Sequence, residues 1–331
     1  MQIPKGLELP AAVAGALILL VVLYDTFETM VLPRSGGFGI RLTRFYFAFV
    51  WGGCRILCRG MKPDNPFRRT LLAAFAPLSL VYLIVLWACL MIVGFALVLW
   101  GVGSPITARA SDHVGQFGDY LYLSGVTLFT LGYGDKLPGS AATRTLCVTE
   151  AGVGFGLLAT VIGYLPTLYQ TFARREAMIV RLYARAGAAP NAEVLVRRHC
   201  DAKAWQALES FLREWEQWGA ELLESYGSYP MLAFYRSQND TQSWLAAAVT
   251  MRAVCRATER HCPPDAPERG SLLLQAEATE TILTLALQSL AKTLRLEQGD
   301  SPEDKIARRL LLSLPGAGAA EERGDGVVEG G

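Results

Sequence analysis

The residues of this chain whose types and spacing could do chemistry are Thr130, Leu131, Gly132, Tyr133, Gly134 and Asp135, a hexapeptide between two long apolar segments. Glycines at alternate positions give backbone angles that a side-chain-bearing residue resists, and such angles let the carbonyls of successive residues point at one axis. Thr130 adds a hydroxyl to that row and Asp135 a charge at its end. The competing reading is a glycine turn in a loop, and a motif this short counts only when its surroundings match.

The surroundings are those of a membrane segment. Ala74 to Trp100 is apolar and carries no charge. At ~1.5 Å per residue it reaches about 40 Å, enough to cross a ~30 Å hydrocarbon core with tilt. A second apolar run, Leu146 to Phe172, follows the hexapeptide and is interrupted by Glu150. Between the first run and the hexapeptide, Asp119 to Phe129 reads as a short, mostly apolar helix with Asp119 as its N-cap. The negative end of that helix dipole leads into Thr130, which favours a waiting cation. The chain is 52% hydrophobic and 18% charged, against roughly 25% charged in ordinary soluble domains.

On these residues the segment Leu71 to Ala173 resembles the pore domain of potassium channels, in the order outer helix, pore helix, filter, inner helix. The resemblance implies that the carbonyls of Thr130, Leu131, Gly132 and Tyr133, with the Thr130 hydroxyl, form stacked sites that replace the hydration shell of K+. Tyr133 would pack outward as a spacer and Asp135 would sit at the extracellular mouth. The implied chemistry is dehydration and passive conduction, so no enzyme activity and no cofactor are expected, with K+ as the permeant ion. One chain supplies one filter segment and a closed ring takes four, so the expected unit is a homotetramer with cyclic symmetry.

The spacing extends the match. Gly154 falls nineteen residues after Asp135 and Arg144 nine after it, positions that in bacterial two-helix potassium channels carry the hinge glycine and a basic residue. The chain also departs from that pattern. Val126 stands where some bacterial channels carry a glutamate that pairs with the filter aspartate. Leu123 stands where many relatives carry a tryptophan bracing the filter tyrosine, and Tyr122 is the neighbouring aromatic. Filter rigidity is the property that these departures touch.

Helical spacing around Gly154 places the apolar Ala151, Phe155, Leu158 and Ile162 on one cavity-facing line, and Gly163 with Pro166 marks a bend near the cytoplasmic end. These residues are the cavity and gate candidates. Glycine also lets membrane helices approach closely, so Gly154 has a packing reading beside the hinge reading. Gly152, Gly154 and Gly156 imitate a dinucleotide loop but have no preceding strand, which excludes nucleotide binding there. Glu150 is the ionisable side chain of the inner-helix run, near the depth of the back of the filter, with Ser124 and Thr127 as candidate partners. Two readings stand for it, a protonated structural glutamate and a pH sensor acting on the filter.

Residues 1–70 read as an N-terminal membrane helix followed by an interfacial one. Leu9 to Leu32 is a further span whose Asp25 and Glu28 are excused by an interface at its end. Phe38 to Gly60 mixes Phe45, Tyr46, Phe47, Phe49 and Trp51 with Arg41, Arg44, Arg55 and Arg59, the composition of a helix lying among lipid headgroups. Keeping Pro33 to Thr70 in the cytoplasm satisfies the positive-inside rule, as do Arg174, Arg175, Arg181 and Arg185 after the inner helix. The resulting protein spans the cell (inner) membrane three times, with its amino terminus outside and its carboxyl terminus in the cytoplasm. Tyr24, Asp25 and Phe27 after the first apolar run do not form a signal-peptide cleavage site. A single span without regularly spaced arginines is no voltage sensor.

From Arg174 the pattern changes to mixed charge with helical apolar spacing, which predicts a helical cytoplasmic domain over residues 174–314. Trp205, Leu208, Leu212, Trp215, Gly219 and Leu222 share one face, Gly227 to Pro230 breaks the pattern, and Ser243 to Glu259 and Ser271 to Leu296 read as further helices. Residues 315–331 have too little apolar surface to offset the entropy of ordering. The region lacks the strands and glycine loops of nucleotide domains, and its charge offers no nucleic-acid surface. His199-Cys200 and His261-Cys262 lack zinc-ligand spacing, so no metal other than K+ is expected. Cys54 and Cys58 share a face that could be acylated near lipid. Seven cysteines in this setting do not read as a disulfide framework.

The fold class expected is therefore an all-α membrane protein, a tetrameric pore-loop channel domain with a helical cytoplasmic domain. Its expected function is a potassium-selective channel whose gating stimulus, pH included, is open. Two alternatives remain: a K+ transporter component, although such transporters place four pore segments in one chain, and a membrane-anchored signalling or scaffold protein with a vestigial pore.

Overall fold

The computed structural model describes residues 6–32, 42–61, 65–103, 106–108, 111–113, 115–187, 191–229, 232, 235, 237, 243–264, 266 and 268–293. The expected tail 315–331 and the start of the expected interfacial helix, residues 38–41, lie outside them. Apart from one small sheet the described chain is helical, as an all-α protein should be. It forms two compact units, residues 1–53 with 77–167, and residues 54–76 with 168–331.

The first unit is built around apolar helices. Helix α1 is Glu8–Met30, α2 is Leu42–Arg59, α3 is Pro66–Gly101, α4 is Phe117–Leu128 and α5 is Ala141–Ala186. The unit holds α1 and α4 whole and α2, α3 and α5 through residues 42–53, 77–101 and 141–167. Strands β1 (Ile106–Ala108), β2 (Ser111–His113) and β3 (Lys136–Pro138) pair antiparallel in the order β2-β1-β3, with Ile106 opposite both His113 and Pro138. By length and composition three stretches can cross a membrane, Glu8–Met30, Ala74–Gly101 and Ala141–Ala186. The inner helix thus starts before Leu146 and continues past Phe172. It runs through Pro166, which removes one backbone donor without ending the helix.

Helix α1 lies against α3 because glycines let the backbones meet. A Cβ added to Gly15 would fall 2.5 Å from the Gly94 carbonyl, and one added to Gly101 2.6 Å from the Glu8 carbonyl. Further along the pair, Val22 is buried with Leu83, Trp87 and Met91. The acids at the end of α1 are buried within the protein, Asp25 at 2% and Glu28 at 5% exposure. Asp25 is tolerated there because it is bonded: Trp87 Nε1 donates to its Oδ2 at 2.9 Å, and Thr43 donates through Oγ1 at 2.6 Å and through its backbone N at 3.2 Å. One carboxylate therefore ties α1, α2 and α3 together. Tyr46 on α2 adds a bond from its hydroxyl to the Ser79 carbonyl at 2.8 Å, while Phe45 and Phe49 remain exposed.

The second unit contains α6 (Ala192–Asp201), α7 (Trp205–Ser228), α8 (Trp244–His261) and α9 (Arg269–Thr293). Asn191 and Ser243 cap α6 and α8 by accepting from Val194 N and Ala246 N. The stripe Trp205, Leu208, Leu212, Trp215 and Leu222 is buried, and Gly219 sits where a Cβ would meet Ile282 and Leu283 of α9 at 3.0 and 3.1 Å. Arg175 is 6% exposed and caged. It donates to the Tyr226 hydroxyl and to the carbonyls of Leu232 and Tyr235, pairs with Glu176 at 3.0 Å, and lies over the rings of Phe172 and Trp244.

His199 and His261 are used structurally. His199 Nδ1 meets the Leu195 carbonyl, and His261 bonds Glu193, which also pairs with Arg260 at 2.9 Å. The described residues hold no cluster of three or more metal-binding side chains, and the cysteines are free thiols.

Candidate functional site

The hexapeptide is held by α4. The helix is capped three residues earlier than expected: Gln116 is its N-cap, and Asp119, at the third position, accepts from the Gln116 backbone N at 2.8 Å through Oδ2. Asp119 is thus a capping-box partner, not the cap itself. Its Oδ1 accepts from Lys136 Nζ at 2.8 Å, which ties the start of α4 to β3. Tyr120 and Leu123 are buried with Ala96, Leu99 and Ile106, and Leu128 with Val22, Leu83 and Trp87. The leucine at 123 therefore fills apolar space beneath α4.

Behind α4, the hydroxyl of Ser124 lies between Glu150 Oε1 and the Ile92 carbonyl, the latter at 2.9 Å. A hydroxyl has one proton to give. With that proton on Ile92, the contact is complete when the Glu150 carboxyl supplies the other. Glu150 is wholly buried and joins α5 to α4 and, through Ser124, to α3. Of the two expected partners Ser124 is used, whereas the Thr127 side chain bonds Cys147. Arg144 lies apart and donates to the Pro138 carbonyl at 3.3 Å.

Gly154 marks the closest approach of α5 to α4. A Cβ there would fall 2.1 Å from the Leu128 carbonyl oxygen and 2.9 Å from its carbon, which no side chain allows. Gly152 and Gly156 meet nothing within 4 Å. The end of α4 then folds directly into the hexapeptide, with Thr130 N donating to the Thr127 carbonyl at 3.0 Å and Leu131 N to the Val126 carbonyl at 2.8 Å.

The backbone that follows is unusual. Positive φ recurs at every second residue, 54° at Thr130, 57° at Gly132 and 73° at Gly134, and Leu131 and Tyr133 are not in that region. Alternating hands of this kind rotate successive peptide planes so that neighbouring carbonyls face one side, whereas in a strand they alternate. Positive φ is an outlier for a β-branched residue such as Thr130, and strain of this sort persists where the surroundings impose it. Leu131 and Tyr133 are exposed, at 53% and 67%. Asp135, which has no glutamate at position 126 to pair with, takes a hydrogen bond from Tyr122 instead. The short spacing from Tyr122 to Asp135 across a helix and a turn was the available signal.

On α5, Phe155, Leu158 and Ile162 are exposed, at 67%, 56% and 63%, and Ala151 is half-buried. Gly163 and Pro166 are exposed as well. The Thr160 and Thr167 hydroxyls bond the carbonyls four residues back, Gly156 at 2.8 Å and Gly163 at 3.0 Å, an arrangement that favours helix bending.

This geometry, an apolar helix pair clasping a short helix and a strained carbonyl-bearing loop, defines a membrane channel domain. Residues 80–171 match the family model described as Ion channel, and the chain belongs to that family. It is 24% identical over 243 residues to the uncharacterized membrane protein YdjJ of Bacillus subtilis (strain 168), covering 73% of this chain and 68% of that protein. It is 33% identical over 93 residues to Protein LctB of Bacillus caldotenax, 26% of this chain and 69% of that one, and equally to Protein LctB of Geobacillus stearothermophilus. No solved structure matches the chain. The protein is therefore a membrane protein with an ion channel domain, and its described chemistry is that of ion passage.

Proposed function

We propose that the protein is a potassium-selective channel in which four copies of Thr130 to Asp135 line a common axis. The observation that carries this reading is the alternation of positive φ at Thr130, Gly132 and Gly134, which supports a row of carbonyls on one side of the segment. Four such rows would replace the hydration shell of K+. The exposed Leu131 and Tyr133 side chains of a single chain would then be covered by neighbouring copies. Ala151, Phe155, Leu158 and Ile162 would face the cavity, and Gly163 with Pro166 would provide the bend toward the gate.

The proposed topology puts the amino terminus outside and α2 on the cytoplasmic side among lipid headgroups. Gly154, as a contact rather than a free hinge, would transmit movement of α5 to the end of α4. The Ser124–Glu150 link lies behind the same point, so its protonation is the proposed route by which pH alters conduction; Cys147 and Thr127 are its neighbours.

The test is potassium flux into vesicles holding purified protein. Native protein should conduct and Gly132→Ala should not, because a methyl group at φ 57° opposes the required backbone. Flux retained in Gly132→Ala refutes the filter assignment. Glu150→Gln should flatten the pH response of the flux, and an unaltered response rejects Glu150 as the sensor.

A further inference from the structure

We infer that a groove between α7 and α9 is the docking site of residues 305–314 of the same chain. The groove is a cavity of about 430 Å³ in the second unit, with Ala220, Leu274, Ala278 and Leu285 forming its apolar part and Glu216 and Glu277 its acidic rims. Leu274 and Leu285 are 69% and 47% exposed, eleven positions apart on one face of α9. Two large leucines on one stripe, flanked by carboxylates, fit an amphipathic segment with basic edges.

The sequence beyond α9 supplies such a segment. Ser301-Pro302-Glu303-Asp304 combines an N-cap residue, proline at the first helical position and acids in the first turn, and Pro315 ends the pattern. At 100° per residue, Ile306, Ala307, Leu310, Leu311 and Leu314 fall on one face and Lys305, Arg308 and Arg309 on the other, which also carries Leu312. The long basic arms can reach carboxylates on either side while the apolar face lies down.

The connection is long enough. α9 ends at Thr293, and residues 294–304 span up to about 36 Å when extended. From Thr293 back to Leu285 is roughly 12 Å along the helix, and to Leu274 roughly 28 Å. Charge complementarity and this reach select the chain's own tail over a foreign peptide. Because the groove belongs to the second unit, the inference stands independently of ion selectivity.

The experiment uses full-length protein carrying Leu285→Cys, reacted with a bulky maleimide and followed at that peptide by mass spectrometry, so that native cysteines do not interfere. Docking predicts labelling on the order of tenfold slower than in the same protein with Leu310→Glu and Leu314→Glu. Glu277→Arg should also speed labelling, and Arg308→Glu with Arg309→Glu added to it should slow it again. Equal rates with native and substituted tails overturn the proposal, as does a tail that partitions to anionic lipid vesicles while position 285 labels fast. Co-assembly with an excess of native-tail chains should leave the fast labelling of a substituted chain unchanged. Restored protection would place the site on a neighbouring copy and overturn the same-chain assignment.

Discussion

Alanine at position 154 separates a packing glycine from a hinge glycine. In an exposed helix interior, glycine to alanine stabilises by up to ~1 kcal/mol, because alanine loses less backbone freedom. At Gly154 the new methyl group would lie 2.1 Å from the Leu128 oxygen, more than 1 Å inside ordinary contact, and the obstacle is backbone that cannot rotate away. Overpacking of this kind costs about 1–3 kcal/mol. The net change is then a loss of stability, against neutral or positive changes for Gly152→Ala and Gly156→Ala, which meet nothing within 4 Å in their own chain. At roughly 2–4 °C per kcal/mol for a large domain, Gly154→Ala should melt several degrees lower. The assay is thermal unfolding of the three variants in one detergent, followed by loss of the native elution peak. A Gly154→Ala protein that melts with or above its two controls refutes the contact, and an altered open probability at unchanged melting temperature assigns the residue to a hinge.

Three shorter predictions accompany it. Asp25→Ala leaves Trp87 Nε1 and Thr43 N without their acceptor, each worth about 1–3 kcal/mol when buried, so it should destabilise far more than Leu17→Ala on the exposed face of α1; equal melting contradicts the three-helix tie. Glu193 has its pKa lowered, first by the hydrogen bond from His261 and then by Arg260 and Arg197, so its contribution is complete above the ordinary carboxylate value near ~4.3 and fades as pH falls through the lowered one. Glu193→Gln should therefore remove part of the acid sensitivity of α6–α8 attachment as pH falls below the ordinary carboxylate value, read by circular dichroism, and identical acid titrations reject the pairing. Quaternary-ammonium block from the cytoplasmic side should weaken when Phe155 or Ile162 is made small and polar, and unchanged block in both variants refutes their cavity position.

The membrane architecture was legible because it is written in uninterrupted runs. Ala74 to Trp100 needs no partner to be read as a span, and Thr130 to Asp135 carries its glycines at the positions where φ is positive. What depends on distant partners was not legible. The acceptor of the Trp87 indole is Asp25, 62 positions away, a pairing that no local pattern announces. The same holds for Arg175, whose carbonyl partners at 232 and 235 come from a connection without periodicity. The three-residue strands were too short for alternation to appear, and β1 reaches across α4 to pair with β3. The inner helix outran its predicted end at Phe172 because a change from apolar to amphipathic composition does not break a helix. For Gly154 both readings were present, and the position of Leu128 supplies what spacing lacked.

Potassium selectivity is tested most directly by the reversal potential of purified full-length protein in a planar bilayer, with potassium in excess on one side and sodium in excess on the other. Potassium selectivity predicts currents that reverse near the potassium equilibrium potential and move by roughly 59 mV for each tenfold change in the potassium gradient. Currents that reverse near zero under the potassium-to-sodium gradient, showing equal passage of the two ions, would contradict it.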